Sequence, residues 1–247
     1  MKNSIKTLSV ILILSGLVLS VNGQVFKASS KSPEAQALLQ KANMHLSNIE
    51  FEIAYDLLLK SVKLDPDFTF ALQQLGRLSY GEVQKSYFAK AKQSAANKSE
   101  GEKLFVSLID AKDASARDVI WEKLAMMYPD DKDIQLTNVV RGTDTAMILN
   151  NLLAYVKKFP SEASAYNMLG YTYLLYKKEP ATAKTYFEKY IQLYPTGYNP
   201  YDSMGEFYFI TGDFGKSKEF YTKSLEHYPF SYSSRQKLEE IDKMSKE

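Results

Sequence analysis

Residues 163–229, ASAYNMLGYTYLLYKKEPATAKTYFEKYIQLYPTGYNPYDSMGEFYFITGDFGKSKEFYTKSLEHYP, decide how the chain is interpreted, because they carry one pattern of about 34 residues twice. The second copy is the more regular one. Its residues at offsets 4, 7, 8, 11, 20, 24, 27 and 32 are Tyr201, Met204, Gly205, Tyr208, Ser217, Tyr221, Ser224 and Pro229. The corresponding residues of the first copy, with one extra residue in the turn, are Tyr166, Leu169, Gly170, Tyr173, Ala183, Phe187, Tyr190 and Pro195.

The spacing within each copy predicts two helices that pack face to face. Offsets 4, 7, 8 and 11 lie on one face of a helix that has 3.6 residues per turn. Offsets 20, 24 and 27 form a small–large–small stripe on a second helix, so an aromatic ring can enter the gap over the glycine at offset 8. The closing proline cannot continue the helix, and it disfavours helical backbone in the residue before it.

This pattern resembles the tetratricopeptide repeat (TPR), a helix–turn–helix unit of about 34 residues. The resemblance implies an all-α fold, a right-handed superhelical solenoid, because one helix pair cannot bury its apolar face and neighbouring pairs must stack. It also implies a binding scaffold for proteins or peptides. The family's clamp for C-terminal carboxylates is not expected, since Asp202 and Glu206 stand where cations would be needed.

The prolines that close the repeats predict how many there are. Pro66 and Pro129 are 63 residues apart, close to two units, and Pro160, Pro195 and Pro229 follow at intervals of 31, 35 and 34. About six helix pairs therefore fit between residues 33 and 230, and the clearest repeats are 163–195 and 198–231. Residues 231–247 are expected to form a C-terminal capping helix, in which Leu238 and Ile241 face inward.

The beginning of the array is predicted from capping residues. Ser32, Pro33 and Glu34 combine a serine at the N-cap, a proline at the first helical position and an acid in the first turn. The first helix is therefore expected over about Pro33 to Ser47. Residues 24–32 are polar and short, and they are expected to be a linker.

Residues 1–23 are predicted to be a secretory signal peptide. Lys2 and Lys6 precede an apolar run from Leu8 to Val21, and Gly23 offers a small residue before the cut. The run has 14 residues, whereas a membrane span needs about 20. We therefore expect export to the periplasm or the exterior, with no stable membrane span after cleavage. An uncleaved anchor helix is the alternative.

Charge and composition exclude several classes of partner and site. Removing Lys2 and Lys6 from the 31 basic residues leaves 29, which equals the number of acidic residues, so the mature chain has no net charge. Such a chain lacks the positive field that attracts nucleic acid. The absence of cysteine excludes disulfides and thiolate metal sites.

Catalytic and metal-binding patterns are missing from the sequence. His45 lies at a packing offset, and His227 lies near a helix end, where imidazole can meet the last carbonyls. Neither has acidic residues at metal-ligand spacing. We therefore expect no enzyme activity, no cofactor and no metal.

The resemblance places the family's concave binding groove on the first helix of each repeat, which we call helix A, at offsets near 2, 5, 9 and 12. Tyrosine beside amide and carboxylate groups is typical of a peptide-binding surface, because a rigid amphipathic ring gives contact area at low entropy cost. The predicted groove residues are Asn167, Tyr171, Asn199, Asp202, Glu206, Phe209, Gln73 and Arg77.

We interpret the chain as an exported, non-catalytic TPR scaffold that binds a protein or peptide. One alternative is an exported helical-repeat protein whose tyrosines stack on a small molecule or glycan; 14 of the 18 tyrosines lie between Tyr155 and Tyr232. Another is an enzyme that uses an acidic pair, Asp202 and Glu206.

Overall fold

The architecture comes from a computed structural model, which describes residues 24–244; the expected signal peptide, residues 1–23, lies outside this range. These residues form α-helices, one short 3₁₀ helix (Ala95–Asn97) and one π-helix (Thr172–Lys177), and residues 24–244 contain no β-strand. The α-helices are α1 (Pro33–Ser47), α2 (Phe51–Leu64), α3 (Thr69–Arg77), α4 (Gly81–Ser94), α5 (Glu100–Ser107), α6 (Ala114–Met127), α7 (Lys132–Val139), α8 (Thr145–Lys158), α9 (Ala163–Tyr171), α10 (Pro180–Leu193), α11 (Asn199–Ile210), α12 (Phe214–His227) and α13 (Tyr232–Met244).

The helices pack as six successive pairs, followed by α13 as a cap. Helices α1 and α2 form the first pair and α11 and α12 the sixth, and most contacts run within a pair or to the next one. This is the TPR-type superhelical solenoid that the repeat pattern predicted. Ile241 of α13 is buried and Leu238 is half-buried, as expected for a capping helix.

The start of the first helix agrees with the capping signals in the sequence. Helix α1 spans Pro33–Ser47, and the Oγ of Ser32 accepts a hydrogen bond of 3.1 Å from the backbone N–H of Ala35. This bond satisfies one of the N–H groups that a helix leaves unpaired at its first turn. The expected boundary of the first helix is therefore confirmed.

Glycines allow the close approach of paired helices at the positions where the pattern required it. A Cβ added to Gly170 would lie 2.7 Å from the Phe187 ring, and one added to Gly205 would lie 2.8 Å from the Tyr221 ring. Both distances are too short for a real contact, so only glycine fits under each ring. The predicted packing of an aromatic residue over a small one is confirmed in both copies.

The extra residue in the first copy is absorbed by a π-helical turn. Helix α9 continues as the π-helix from Thr172 to Lys177, and Lys178 then adopts a left-handed backbone with φ of 59°. A π-helical turn holds one more residue than an α-helical turn, so it accommodates an insertion within a helix. The packing of Tyr173 and Phe187 is thereby preserved on either side of the insertion.

Candidate functional site

The inner face of the solenoid forms a cavity of about 1620 Å³ that is open to solvent on one side. Its wall comes from α1, α2, α3, α5, α6, α7, α9 and α10 and from the turns beside them. Aromatic and charged side chains share this wall, including Phe51, Arg77, Tyr80, Trp121 and Asp133. Tyr80 is 87% exposed and follows the end of α3, so its ring is free to contact a ligand.

The segment that was expected to be a linker lies along this inner face. Val25 and Phe26 form part of the cavity wall. The Phe26 ring packs against Phe105 and Tyr128, at centroid distances of 4.6 and 5.4 Å. Residues 25–31, which we call the N-terminal segment, therefore pack on helix pairs two to four before α1 begins.

The two ends of the array meet through a buried carboxylate. Glu50, in the turn between α1 and α2, is fully buried, and its Oε1 accepts hydrogen bonds of 2.8 and 3.2 Å from the backbone N–H groups of Tyr198 and Asn199. Its Oε2 accepts a bond of 2.7 Å from the Tyr194 hydroxyl and lies 2.5 Å from His45 Nδ1. We call these five residues the junction.

The junction exists because α11 has no capping side chain of its own. Tyr198 and Asn199 stand at the start of α11, where backbone N–H groups lack partners within the helix. Glu50 is the N-cap residue of α2, yet its carboxylate binds the start of α11 instead. A negative charge is favourable at a helix N-terminus. Burial and the hydrogen bond to Glu50 raise the pKa of Tyr194, so its hydroxyl stays protonated and donates.

Acidic groups near the cavity have opposite pKa shifts. Burial raises the pKa of Asp133 to about 6, and the neighbouring Asp131 adds to this effect, although Lys132 opposes it. Burial also acts to raise the pKa of Asp65, but hydrogen bonds from Ser30 and the Lys31 backbone outweigh burial and lower the pKa. The N-terminal segment thus stabilises the ionised form of Asp65.

Two of the predicted groove residues, Gln73 and Arg77, belong to α3. Arg77 lines the cavity and is exposed, and its guanidinium donates a hydrogen bond of 3.1 Å to the Gln74 side chain. Gln73 is only 2% exposed, because its amide donates to the backbone oxygen of Phe105 in the next pair. Arg77 therefore faces the cavity, whereas Gln73 joins two helix pairs.

Three predicted groove residues lie in the contact between the fifth and sixth pairs. Asn167 and Asn199 are buried, and the Nδ2 of Asn167 is 3.5 Å from the Oδ1 of Asn199, which also accepts from the Tyr190 hydroxyl. The Tyr171 ring packs edge-on against Phe187 of the same pair, 5.0 Å away, and its hydroxyl interacts with Ser203 of the sixth pair; burial raises the pKa of Tyr171. These side chains hold neighbouring helix pairs together.

The last three predicted groove residues, Asp202, Glu206 and Phe209, lie under the capping helix α13. Asp202 accepts hydrogen bonds from Ser233 and Ser234 of α13, at 2.8 and 2.5 Å. The other two are half-buried: Glu206 accepts from the Tyr221 hydroxyl, and the Lys237 ammonium of α13 lies 4.1 Å from the centroid of the Phe209 ring. The eight residues are thus distributed over three separate places.

Sequence reasoning did not identify Phe26, Glu50 or the acids that bind the N-terminal segment. Their only local signal was position: Asp65, Glu102 and Asp131 all stand near the start of an A helix. Such acids are normally expected to cap their own helix, as Asp131 does for Ile134. Nothing in that pattern indicates a second partner distant in the chain.

The histidines take part in packing contacts. His45 belongs to the junction, and the His227 ring stacks on the Tyr201 ring at 4.6 Å, with the two planes 10° apart. Residues 24–244 contain no cluster of three or more acidic or histidine side chains that could hold a metal ion. Within the same range, no helix has both the length and the apolar character that a membrane crossing requires.

Comparisons with known proteins match two helix pairs of the chain to one family. The family model for the tetratricopeptide repeat matches residues 163–196 and 198–229. No curated protein sequence matches the chain. Among solved structures, the chain resembles one from the crystal structure of the APC/C hetero-tetramer Cut9–Hcn1, at 16% identity and a TM-score of 0.50. The match covers 85% of this chain but 43% of the other.

A second similar structure is that of PilW, described as a widely conserved type IV pilus biogenesis factor. The identity is 13%, the TM-score is 0.47, and the match covers 83% of this chain and 98% of PilW. Residues 163–196 and 198–229 are therefore two tetratricopeptide repeats, and they lie inside a longer helical array.

Proposed function

We propose that the protein is a non-catalytic scaffold that binds an extended segment of another protein in the cavity on its inner face. The observation that carries this proposal is the size of the cavity. Its volume of about 1620 Å³ exceeds the roughly 300–1,000 Å³ typical of small-molecule pockets. A peptide of several residues would fill such a space, whereas a single sugar or metabolite would not.

The chemistry of the cavity wall favours a neutral or basic segment with apolar side chains. Tyr80 and Phe51 are exposed and offer rings for contact. Asp130, Asp133 and Glu52 also line the cavity, so acidic groups share its wall with those rings. Of the groove residues predicted from the sequence, we propose that Arg77 contacts the partner directly, because it is exposed to the cavity.

We also infer that the protein acts after export. This part of the proposal rests on the signal-peptide pattern of residues 1–23. Sequencing the N-terminus of the protein isolated from its native cells tests it. We expect the mature chain to begin at Gln24, and recovery of an intact Met1 would refute cleavage.

Site-specific photo-crosslinking tests the binding function. A photoreactive amino acid replaces Tyr80, which faces the cavity, and in a matched variant it replaces Met126, which is 74% exposed but is not part of the cavity wall. After irradiation in native cells, we expect discrete protein adducts from position 80 and none of the same mass from position 126.

Two results would contradict the proposal. Equal adducts from both positions would mean that the protein associates without using its cavity. A complete absence of protein adducts at position 80, together with protection of that position by a small molecule or glycan, would favour the small-ligand alternative. An Arg77→Ala variant is expected to lower the adduct yield at position 80.

A further inference from the structure

The N-terminal segment is held on the inner face as an extended peptide ligand would be. It has no helix or strand of its own, and its aromatic residue inserts between rings of the array. The Phe26 centroid lies 4.6 Å from that of Phe105, 5.2 Å from that of Phe70 and 5.4 Å from that of Tyr128. These three rings come from α3, α5 and the end of α6, so they form a composite aromatic pocket.

Three buried carboxylates, which we call the carboxylate row, bind the polar groups of the segment. The members of the row are Asp65, Glu102 and Asp131, which are 5%, 1% and 9% exposed. They precede or begin helices α3, α5 and α7, respectively. The row therefore supplies one acceptor from each of three successive helix pairs.

Each member of the carboxylate row accepts at least one hydrogen bond from the N-terminal segment. Asp131 accepts a bond of 3.1 Å from the backbone N–H of Phe26. Glu102 accepts from both the backbone N–H and the hydroxyl of Ser29, at 3.0 and 2.9 Å. Asp65 accepts from the Ser30 hydroxyl at 2.6 Å and from the Lys31 backbone N–H at 2.9 Å.

Few of the bound groups are peculiar to this segment. Backbone N–H groups are available in any peptide, and the Lys27 side chain is exposed. The side chains that make specific contacts are an aromatic ring at position 26 and hydroxyls at positions 29 and 30. The site is therefore expected to prefer a segment in which an aromatic residue is followed, three and four residues later, by serine or threonine.

Release of the segment removes hydrogen-bond donors from the carboxylate row, whose members keep only local donors such as the Ile134 N–H on Asp131 and the Ser99 hydroxyl on Glu102. Leaving a buried charged acceptor without donors has a free-energy penalty that is larger than the net stabilisation from an ordinary hydrogen bond. A partner that supplies N–H and O–H donors to the same three carboxylates can therefore displace the segment most easily. The segment borders the main cavity through Val25 and Phe26, so a partner in the cavity meets it directly.

We propose that the partner carries an extended segment with an aromatic residue followed at the third and fourth positions by hydroxyl residues, and that it replaces the N-terminal segment, residues 25–31, on the carboxylate row. This inference rests on the proposed function and specifies its ligand. The N-terminal segment is an intramolecular copy of that ligand. The tethered copy competes at an effective concentration of roughly millimolar.

Binding of a synthetic peptide with the sequence of residues 24–31, QVFKASSK, tests the proposal by fluorescence anisotropy. The full chain is compared with a Phe26→Gly/Ser29→Gly/Ser30→Gly variant, which removes the specific contacts of the tethered copy. A Lys27→Gly variant is the matched control, because the Lys27 side chain is exposed.

We expect the triple variant to bind the peptide at least about tenfold more tightly than the unmodified chain and the Lys27→Gly variant, as tethered competition requires. A peptide with alanine in place of its phenylalanine is expected not to bind. Equal affinity for all three proteins would overturn the proposal. So would an absence of binding to a triple variant whose circular dichroism is native.

If the triple variant does not fold, Phe26→Ala alone provides the second test. It opens the aromatic pocket while keeping the two serines, and peptide binding should again tighten relative to Lys27→Gly; no tightening would overturn the proposal. The photo-crosslinking at Tyr80 separates this inference from the proposed function. Adducts that are unchanged by the segment variants would leave the scaffold function standing and refute the displacement.

Discussion

Replacing Glu50 by alanine should separate the two ends of the solenoid. Glu50 is fully buried and accepts hydrogen bonds from Tyr194 and from the backbone N–H groups of Tyr198 and Asn199, with His45 at 2.5 Å. The substitution leaves those donors buried without an acceptor and removes the cap of α11. Breaking a buried charged network by deleting one partner costs about 3–5 kcal/mol, and we expect a loss in this range.

The matched control is Glu52→Ala. Glu52 lies two residues away and accepts from the Tyr198 hydroxyl at 3.1 Å, but it is exposed. An exposed interaction contributes about 0–1 kcal/mol, so the control should unfold in urea almost like the unmodified chain. Unfolding in urea is followed by circular dichroism. The free energies of unfolding are compared between variants whose dependence on urea concentration has the same slope, the m-value.

A distance measurement makes the test specific for the junction. The chain has no cysteine, so spin labels can be attached at Leu59→Cys and Gln192→Cys, both exposed sites on either side of the junction. We expect a narrow distance distribution for the unmodified chain and for Glu52→Ala, and a broader, longer one for Glu50→Ala. If Glu50→Ala cost no more than Glu52→Ala and kept the narrow distribution, the junction would not hold the ends together.

Three further substitutions test other parts of the structure. Burial raises the Asp133 pKa to about 6, so the native state loses stability as pH rises from about 4 to 6 and the buried carboxyl ionises. Asp133→Asn removes this charge and should raise the free energy of unfolding by about 1–3 kcal/mol at pH 7. Gly205→Ala should cost about 1–3 kcal/mol, because the added Cβ would lie 2.8 Å from the Tyr221 ring. Ser234→Ala removes a donor from buried Asp202 and should cost about 1–3 kcal/mol and loosen α13. Urea unfolding measures all three.

Each of these predictions has an internal comparison. The gain from Asp133→Asn should vanish at pH 4, and a gain that is independent of pH would refute the role of the charge. Gly215→Ala is the control for the helix contact, because its Cβ would meet only Asp213, at 3.7 Å. For α13, Ser233→Ala should cost less than Ser234→Ala, since Ser233 is exposed; the reverse order would count against the assigned contacts.

The repeat units could be predicted because their determinants are local. Helix α1 has the expected bounds, Pro33–Ser47, since a serine cap and a proline act within one turn. The contact between Gly170 and Phe187 follows from the spacing of two faces within a single pair. The extra residue of the first copy is visible when the offsets of the two copies are compared. Its accommodation as a π-helix could not be predicted, because a longer turn would fit the spacing equally well.

The contents of the inner face could not be predicted in the same way. Helix offsets indicate which side of α11 faces inward, but not that α13 covers Asp202 and Phe209. The contact between Glu50 and Asn199 joins residues that are 149 positions apart, and it depends on the accumulated rotation of every intervening pair. Small errors in each step would move the two ends apart, so no local pattern specifies their meeting.

The meeting of the ends has a consequence for how this protein can vary. A solenoid whose repeats touch only their neighbours can gain or lose a unit without disturbing the others. Here the carboxylate of Glu50 must reach the start of α11, and duplication or deletion of one helix pair between them would shift that start by about 10 Å, the usual spacing of packed helices. The number of helix pairs is therefore held constant by the contact that closes the array, and change is confined to substitutions and to insertions small enough for a turn to absorb.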